Sequence, residues 1–152
     1  MRVSELMSSS VITIEGTASC REAVARMHQA KVRHLPVVDR EGGLVGIITD
    51  RDLRHHLFAR SVMPQIGTTS VEALLEAIAV RDLMSARVVC AAPADDLEAA
   101  AARMREGKVG SLPVVDNGRV IGILTETDLL RHVVRASAGC SPGVEEIIVS
   151  YP

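Results

Sequence analysis

Leu35-Pro36-Val37-Val38-Asp39 runs through a turn at Glu41-Gly42-Gly43 into Leu44-Val45-Gly46-Ile47-Ile48-Thr49-Asp50-Arg51-Asp52-Leu53. The same passage returns as Leu112-Pro113-Val114-Val115-Asp116, a turn at Asn117-Gly118, and Val120-Ile121-Gly122-Ile123-Leu124-Thr125-Glu126-Thr127-Asp128-Leu129. Short runs of Val, Ile and Leu on either side of a Gly-containing turn read as two strands of a hairpin. The Thr-x-x-Asp that closes each passage reads as a helix start, because a Thr side chain can accept from an amide of the first turn. Each copy therefore predicts strand, turn, strand, helix.

Working outward, the duplication extends over most of the chain. Val3 to Met7 and Val80 to Met84 predict short helical turns. Val11-Ile12-Thr13-Ile14 and Val88-Val89-Cys90-Ala91 predict short strands. Ser19-Cys20-Arg21-Glu22 has the form of a capping box opening a helix to about Ala30, and its counterpart starts at Asp95, with Glu98 three residues on, and reaches about Glu106. Ala23, Val24 and Met27, and likewise Leu97, Ala100, Ala101 and Met104, fall at helical spacing and predict core-facing positions. The repeat unit is thus β-α-β-β-α. A three-stranded sheet cannot bury both faces alone, so the two units are expected to pair.

Along the chain this predicts a first repeat at 1–58, a linker with its own helix at 59–79, a second repeat at 80–138 and a tail at 139–152. Within the linker Met63-Pro64-Gln65-Ile66-Gly67 should break the preceding helix and Thr69-Ser70-Val71-Glu72 should cap the next, through Ala79. Gly139 and Pro142 should end the last helix, and Val144 to Tyr151 has the pattern of a final strand.

The chain has 152 residues, 47% of them apolar, so a sizeable core is available. One Phe, one Tyr and no Trp leave that core aliphatic and argue against single-stranded nucleic-acid binding by base stacking. A net charge of −2 supplies no general attraction to nucleic acid or anionic membrane. The three cysteines, Cys20, Cys90 and Cys140, lie far apart without a Cys-x-x-Cys, as in a reducing compartment. No apolar stretch is long enough to span a bilayer and no secretory signal opens the chain. A cytoplasmic protein is expected.

The repeat unit resembles the CBS domain, and the tandem resembles a CBS pair, or Bateman module. The resemblance rests on both Leu-Pro-Val-Val-Asp segments and on Gly46…Thr49…Asp52 and Gly122…Thr125…Asp128, in the same order and spacing. It implies an α/β (α+β) fold in which two repeats pack about a pseudo-twofold axis and leave two clefts. Members usually dimerise through helices, for which Ala99 to Ala102 and Val133-Val134 are available faces. In many members the clefts hold AMP, ADP, ATP, diadenosine phosphates or S-adenosylmethionine.

Read as chemistry, Thr49, Asp52, Thr125 and Asp128 have two readings, as helix caps or as ribose ligands, and the two can coexist where the Thr caps and the Asp turns outward. A carboxylate can accept both cis-hydroxyls of a ribose, and in CBS proteins with this signature the Asp contacts ribose. Arg33 and His34 precede the first Leu-Pro, where the nucleotide-binding γ subunits of AMP-activated kinases place basic residues on phosphate. They are the phosphate candidates, with Arg51 at the following helix start. Gly110-Ser111 in the second copy offers no such charge, so the clefts should be unequal. For the base, the resemblance nominates Ile12, Thr13, Ile14, Val89, Cys90, Ala91, Pro36 and Pro113.

His55, His56 and His132 have no carboxylate or Cys at ligand spacing and suggest no metal. Cys20 lies near a helix start, a setting that can lower a thiol pKa, without a catalytic partner in sequence. No enzyme and no required cofactor is expected. The expected function is regulatory, with an adenine nucleotide binding between the repeats and altering the geometry of a homodimer or of an unidentified regulated protein. The alternatives are a partner-docking pair with unoccupied clefts and an S-adenosylmethionine binder. The tail resembles the segment that precedes an ACT domain in acetoin-utilisation accessory proteins.

Overall fold

A computed structural model of the chain describes residues 1–61 and 71–137, with side chains through Leu57 in the first stretch. The expected linker break at Met63–Gly67, the capping residues Thr69 and Ser70, Cys140, and the helix stop and strand of the tail lie outside the described residues. The elements are α1 (Val3–Leu6), β1 (Ile14–Glu15), α2 (Cys20–Ala30), β2 (His34–Val38), β3 (Leu44–Thr49), α3 (Asp50–Ser61), α4 (Val71–Ala77), α5 (Val80–Leu83), α6 (Leu97–Gly107), β4 (Ser111–Asp116), β5 (Arg119–Thr125) and α7 (Glu126–Ala136).

The two hairpins form as read. In the first, β2 pairs antiparallel with β3 and Asp39 Oδ1 accepts from the amides of Glu41 (2.9 Å) and Gly43 (2.8 Å), which fixes the turn. In the second, Asn117 and Gly118 both adopt positive φ (48° and 79°), the two-residue turn whose twist suits a hairpin. Both hairpins shift register at the same place, between Val37 and Val38 and between Val114 and Val115.

The outer strands are shorter than Val11–Ile14 and Val88–Ala91 suggest. β1 pairs parallel with β2 over two residues, whereas in the second repeat only Ala91 bridges to Val114. There the Ala91 amide donates to Pro113 O (3.0 Å) and the Val115 amide donates to Ala91 O (2.9 Å). The next rung would need an amide at position 93. That residue is proline, where the first repeat has Gly16, so the ladder stops and the second sheet has two strands.

Two cores result. Ile14, Cys20, Ala23, Met27, Leu35, Val37, Ile48 and Leu53 fill the first, and Ala91, Leu97, Ala100, Met104, Leu112, Val114 and Leu124 fill the second. Val24, expected on the buried face of α2, is 39% exposed. Ser19 caps α2 by accepting from the Glu22 amide (3.2 Å), but Glu22 does not return the bond, because its carboxylate goes to Arg26 at 2.6 Å. In the second repeat Asp96, not Asp95, holds the N-cap position. Asp95 instead accepts from the Ala92 amide (2.9 Å) and from Arg103 (2.5 Å), and these bonds hold its carboxyl below the usual range.

The short helices are exchanged between the units. Val3, fully buried, belongs to the second core and Val80, also fully buried, to the first. Ser8 trades two backbone hydrogen bonds with Ile123 (2.9 and 3.0 Å), and Ser85 does the same with Ile47 (2.9 and 3.0 Å). The adjoining strand glycines make this close approach possible. A Cβ on Gly122 would lie 2.7 Å from Met7 Sδ and 3.0 Å from Ser8 O, and one on Gly46 would lie 2.5 Å from Met84 Sδ and 3.0 Å from Ser85 O. Burying each valine contributes about 1.5–3 kcal/mol, and that contribution links the two units.

Candidate ligand-binding clefts

Strand ends, helix starts and the exchanged segments enclose two clefts. The larger, about 480 Å³, is lined by Thr49, Asp52 and Arg51 at the start of α3, by Ser85, Arg87, Val88 and Val89, and by Lys108 to Ser111. The smaller, about 240 Å³, is lined by Thr125 and Asp128 at the start of α7, by Ser8, Ser10, Val11 and Ile12, and by Lys31 to His34. Each cleft thus takes its Thr-x-x-Asp from one repeat and its apolar wall from the other. The exchange of α1 and α5 brings those walls across.

The Thr and Asp of each motif form a reciprocal cap. Asp52 Oδ2 accepts from the Thr49 amide (2.9 Å) and from Thr49 Oγ1 (2.8 Å), while the Asp52 amide donates back to Thr49 Oγ1 (3.2 Å). Asp128 Oδ2 accepts in the same way from the Thr125 amide (2.9 Å) and Oγ1 (2.6 Å). A carboxylate has about four acceptor positions, so capping leaves about two unfilled on each Asp. Asp52 lines the larger cleft and forms no ion pair among the described residues. On Asp128, Arg131 stands 3.7 Å from Oδ1.

The phosphate candidates fall together. Arg33 and His34 line both clefts and Arg51 lines the larger one. Arg33 is exposed and forms no ion pair among the described residues. Burial, then the Arg33 charge, lowers the His34 pKa, against the opposing pull of Asp50, Glu126 and Asp52. Gly110, at the position of Arg33 in the other repeat, has His34 and Glu126 directly over it. A Cβ there would lie 3.3 Å from Glu126 Oε2 and 3.4 Å from His34 Nε2.

Only part of the set nominated for the base reaches a cleft. Ile12 lines the smaller cleft and Val89 the larger. Thr13 and Ile14 border a separate depression beside Glu15 and Arg26, and the Ile14 side chain is in the core. Ala91 is 3% exposed, and Pro36 and Pro113 are fully buried, so their side chains offer a base no surface. Cys90 borders neither cleft. The segment before each bridge lines its cleft with two consecutive residues, Val11-Ile12 and Val88-Val89, and then turns away at Thr13 and Cys90. Arg26 on α2 donates to Thr13 O (2.5 Å) and Arg103 on α6 donates to Cys90 O (3.2 Å), so both repeats hold the carbonyl of this turning residue in the same way.

Several lining residues were missed from sequence. Arg87 and Val88 line the larger cleft; Ser8, Ser10, Val11 and Arg131 line the smaller. Lys31 and Lys108 line one each. Both are left-handed residues closing α2 and α6 (φ 55° and 51°), where glycine is usual, and their recurrence in both repeats was the available signal. Cys20 is no reactive thiol, since burial, followed by the Asp82 charge, pushes it up to about 11. Among the described residues no helix is long and apolar enough to cross a membrane.

Comparison with known proteins agrees with this architecture. The model of the CBS domain family matches twice, at residues 3–59 and 80–135. A CBS domain-containing protein of Dictyostelium discoideum is 37% identical over 135 residues, which cover 88% of this chain and 91% of that protein. Homoserine O-acetyltransferase of Methanohalobium evestigatum is 31% identical over 132 residues, but the chain spans only 24% of its length. A CBS domain pair crystallised with 5′-methylthioadenosine and S-adenosyl-L-methionine superposes with a TM-score of 0.77 at 27% identity, covering 90% of this chain and 98% of that one. CBSX2 in complex with AMP superposes with a TM-score of 0.69 at 28% identity, covering 89% and 97%.

Proposed function

This chain belongs to the CBS domain family as a tandem pair, and from that premise we propose that it is a regulatory module whose clefts bind a phosphate-bearing adenosine ligand, AMP, ADP or ATP. The observation that carries the reading is the larger cleft. There the half-satisfied carboxylate of Asp52 faces five cationic side chains, Arg33, Arg51, Arg54, Arg87 and Lys108, against two further carboxylates, Asp50 and Glu126. Arg54 is already paired with Asp50 (2.9 Å), which leaves the other four for an anion. A ribose on Asp52 and phosphates among the cations satisfy both features at once. The apolar wall at Val88 and Val89 suits the base.

The same charge disfavours S-adenosylmethionine, whose sulfonium would enter a cationic site. That ligand is kept as a second reading because a similar CBS pair was crystallised with it. No catalytic step is assigned to either cleft and no resident cofactor is needed. A ligand spanning surfaces from both repeats favours whichever arrangement of the halves makes both contacts, and that differential affinity is what a regulatory output needs. We assign the output to a homodimer formed through α7, on which Leu130, Val133 and Val134 are 65%, 58% and 69% exposed.

Isothermal titration with AMP, ADP, ATP and S-adenosylmethionine tests the reading. Saturable binding of an adenine nucleotide, weakened by Asp52→Ala, is expected. Absence of binding by all four at millimolar concentration would leave the partner-docking function in its place.

A further inference from the structure

The two clefts are not separate. Arg33, His34, Gly110 and Glu126 line both of them, so the clefts meet at one place and share its charged groups. The repeat should supply that place twice over, once as Arg33-His34 and once as Gly110-Ser111. It supplies the charge only once. Ser111 is 3% exposed and Gly110 has no side chain, and the space a side chain would need at 110 is taken by His34 Nε2 and Glu126 Oε2.

We propose that Arg33 and His34 form a single anion-binding station used by both clefts, so that a phosphate-bearing ligand in one cleft deprives a ligand in the other of that station. The inference rests on nucleotide binding in the clefts, as proposed above. Around the station the charges are unequal. The larger cleft adds Arg51, Arg87 and Lys108, whereas the smaller adds Lys31 and an Arg131 already directed at Asp128. With about half the volume and fewer free cations, the smaller cleft loses more when the station is occupied from the other side. The first ligand therefore enters the larger cleft, and its phosphates weaken the second site. Phosphate count sets the strength of this coupling, and a nucleoside without phosphate does not produce it. Two repeats thus act as one graded pair of unequal sites.

The experiment measures ATP and adenosine binding by isothermal titration, with native mass spectrometry for stoichiometry. It uses the wild-type chain, Arg87→Glu, Asp52→Ala and Arg33→Ala. Arg87 lines only the larger cleft and lies outside the caps, so Arg87→Glu disables that cleft even if Asp52→Ala fails to fold. Wild type should bind one ATP well and a second about tenfold or more weakly. In Arg87→Glu the remaining site, in the smaller cleft, should bind ATP about tenfold more tightly than the second site of wild type, equivalent to about 1.4 kcal/mol. Arg33→Ala should weaken ATP at both sites and remove the coupling, with adenosine unaffected. Unchanged affinity at the second site in Arg87→Glu, or loss at only one site in Arg33→Ala, would overturn the shared station while leaving nucleotide binding intact. Failure of every adenine compound to bind wild type would instead remove the underlying reading, and the inference with it.

Discussion

The ribose role of Asp52 can be separated from its capping role, because the two use different lone pairs. Oδ2 serves the cap through bonds of 2.9 and 2.8 Å from Thr49, and about two acceptor positions remain for the cis-hydroxyls of a ribose. Removing the ligand's 2′-hydroxyl deletes one charge-assisted hydrogen bond, worth about 1.5–3 kcal/mol. In wild type ATP should therefore bind roughly tenfold to a hundredfold more tightly than 2′-deoxy-ATP. At the larger cleft Asp52→Ala should bind both weakly and nearly alike, because the group that reads the hydroxyl there is gone, whereas the smaller cleft keeps Asp128. The same variant loses the cap and should unfold about 1 kcal/mol more easily without ligand. Asp52→Asn retains a capping oxygen and should recover most of that stability with little of the affinity. Titration of both ligands against all three chains, with urea melts alongside, completes the cycle. If Asp52→Ala, made together with Asp128→Ala so that the smaller cleft does not read the hydroxyl, preserved the preference shown by Asp128→Ala alone for ATP over 2′-deoxy-ATP, Asp52 would be a cap alone.

The remaining predictions concern other links in the argument. Gly122→Ala puts a methyl group against Met7 Sδ and the Ser8 carbonyl, and should cost about 1–3 kcal/mol in a urea melt. Met7→Ala in the same chain should restore part of that loss. The lowered pKa of His34 means the unfolded chain binds its proton more readily. Stability from this group is complete above the ordinary histidine pKa of 6.5 and is lost as pH falls through the window below it, which melts from pH 7.5 to 5 would show. ATP affinity should rise through the same window, since the ligand favours protonated His34, and His34→Gln should flatten both profiles. The proposed dimer through α7 predicts that the wild-type chain elutes as a dimer on size-exclusion chromatography and Val134→Asp as a monomer; a wild-type chain that elutes as a monomer would refute that dimer.

What could be read in the sequence was local. The hairpins follow from their turn residues, and both caps follow from Thr-x-x-Asp, because each is settled within a few residues. The side-chain directions before β1 were not legible from a run of apolar residues. Of Ile12, Thr13 and Ile14 only Ile12 lines the cleft, and the Thr13 carbonyl is held by Arg26 on a different element. The shorter second sheet was written in the chain, as Pro93 at the position of Gly16, but it has meaning only once the ladder is known. The exchange of α1 and α5 was beyond any local reading. Val3-Ser4-Glu5-Leu6-Met7 and Val80-Arg81-Asp82-Leu83-Met84 are alike, and either would suit either core. Arg33-His34 against Gly110-Ser111 predicted unequal clefts as if each pair served its own cleft; in three dimensions Arg33, His34 and Gly110 line both, and the inequality lies in volume and in the other cations.

The exchange also governs how the chain is made. As the first repeat leaves the ribosome, its core lacks Ile78 and Val80, and Ile47 lacks the backbone partner that Ser85 later supplies. The Val3–Met7 turn emerges before either hairpin and waits longest, since the hydrogen-bonding partner of Ser8 is Ile123, far along the chain in the second hairpin. The first half therefore closes only after synthesis has passed into the second, and the second closes by reaching back to the beginning. Cut between residues 61 and 71, the halves would each carry a piece belonging to the other. Mixed together, they should regain one native spectrum as a complementing pair.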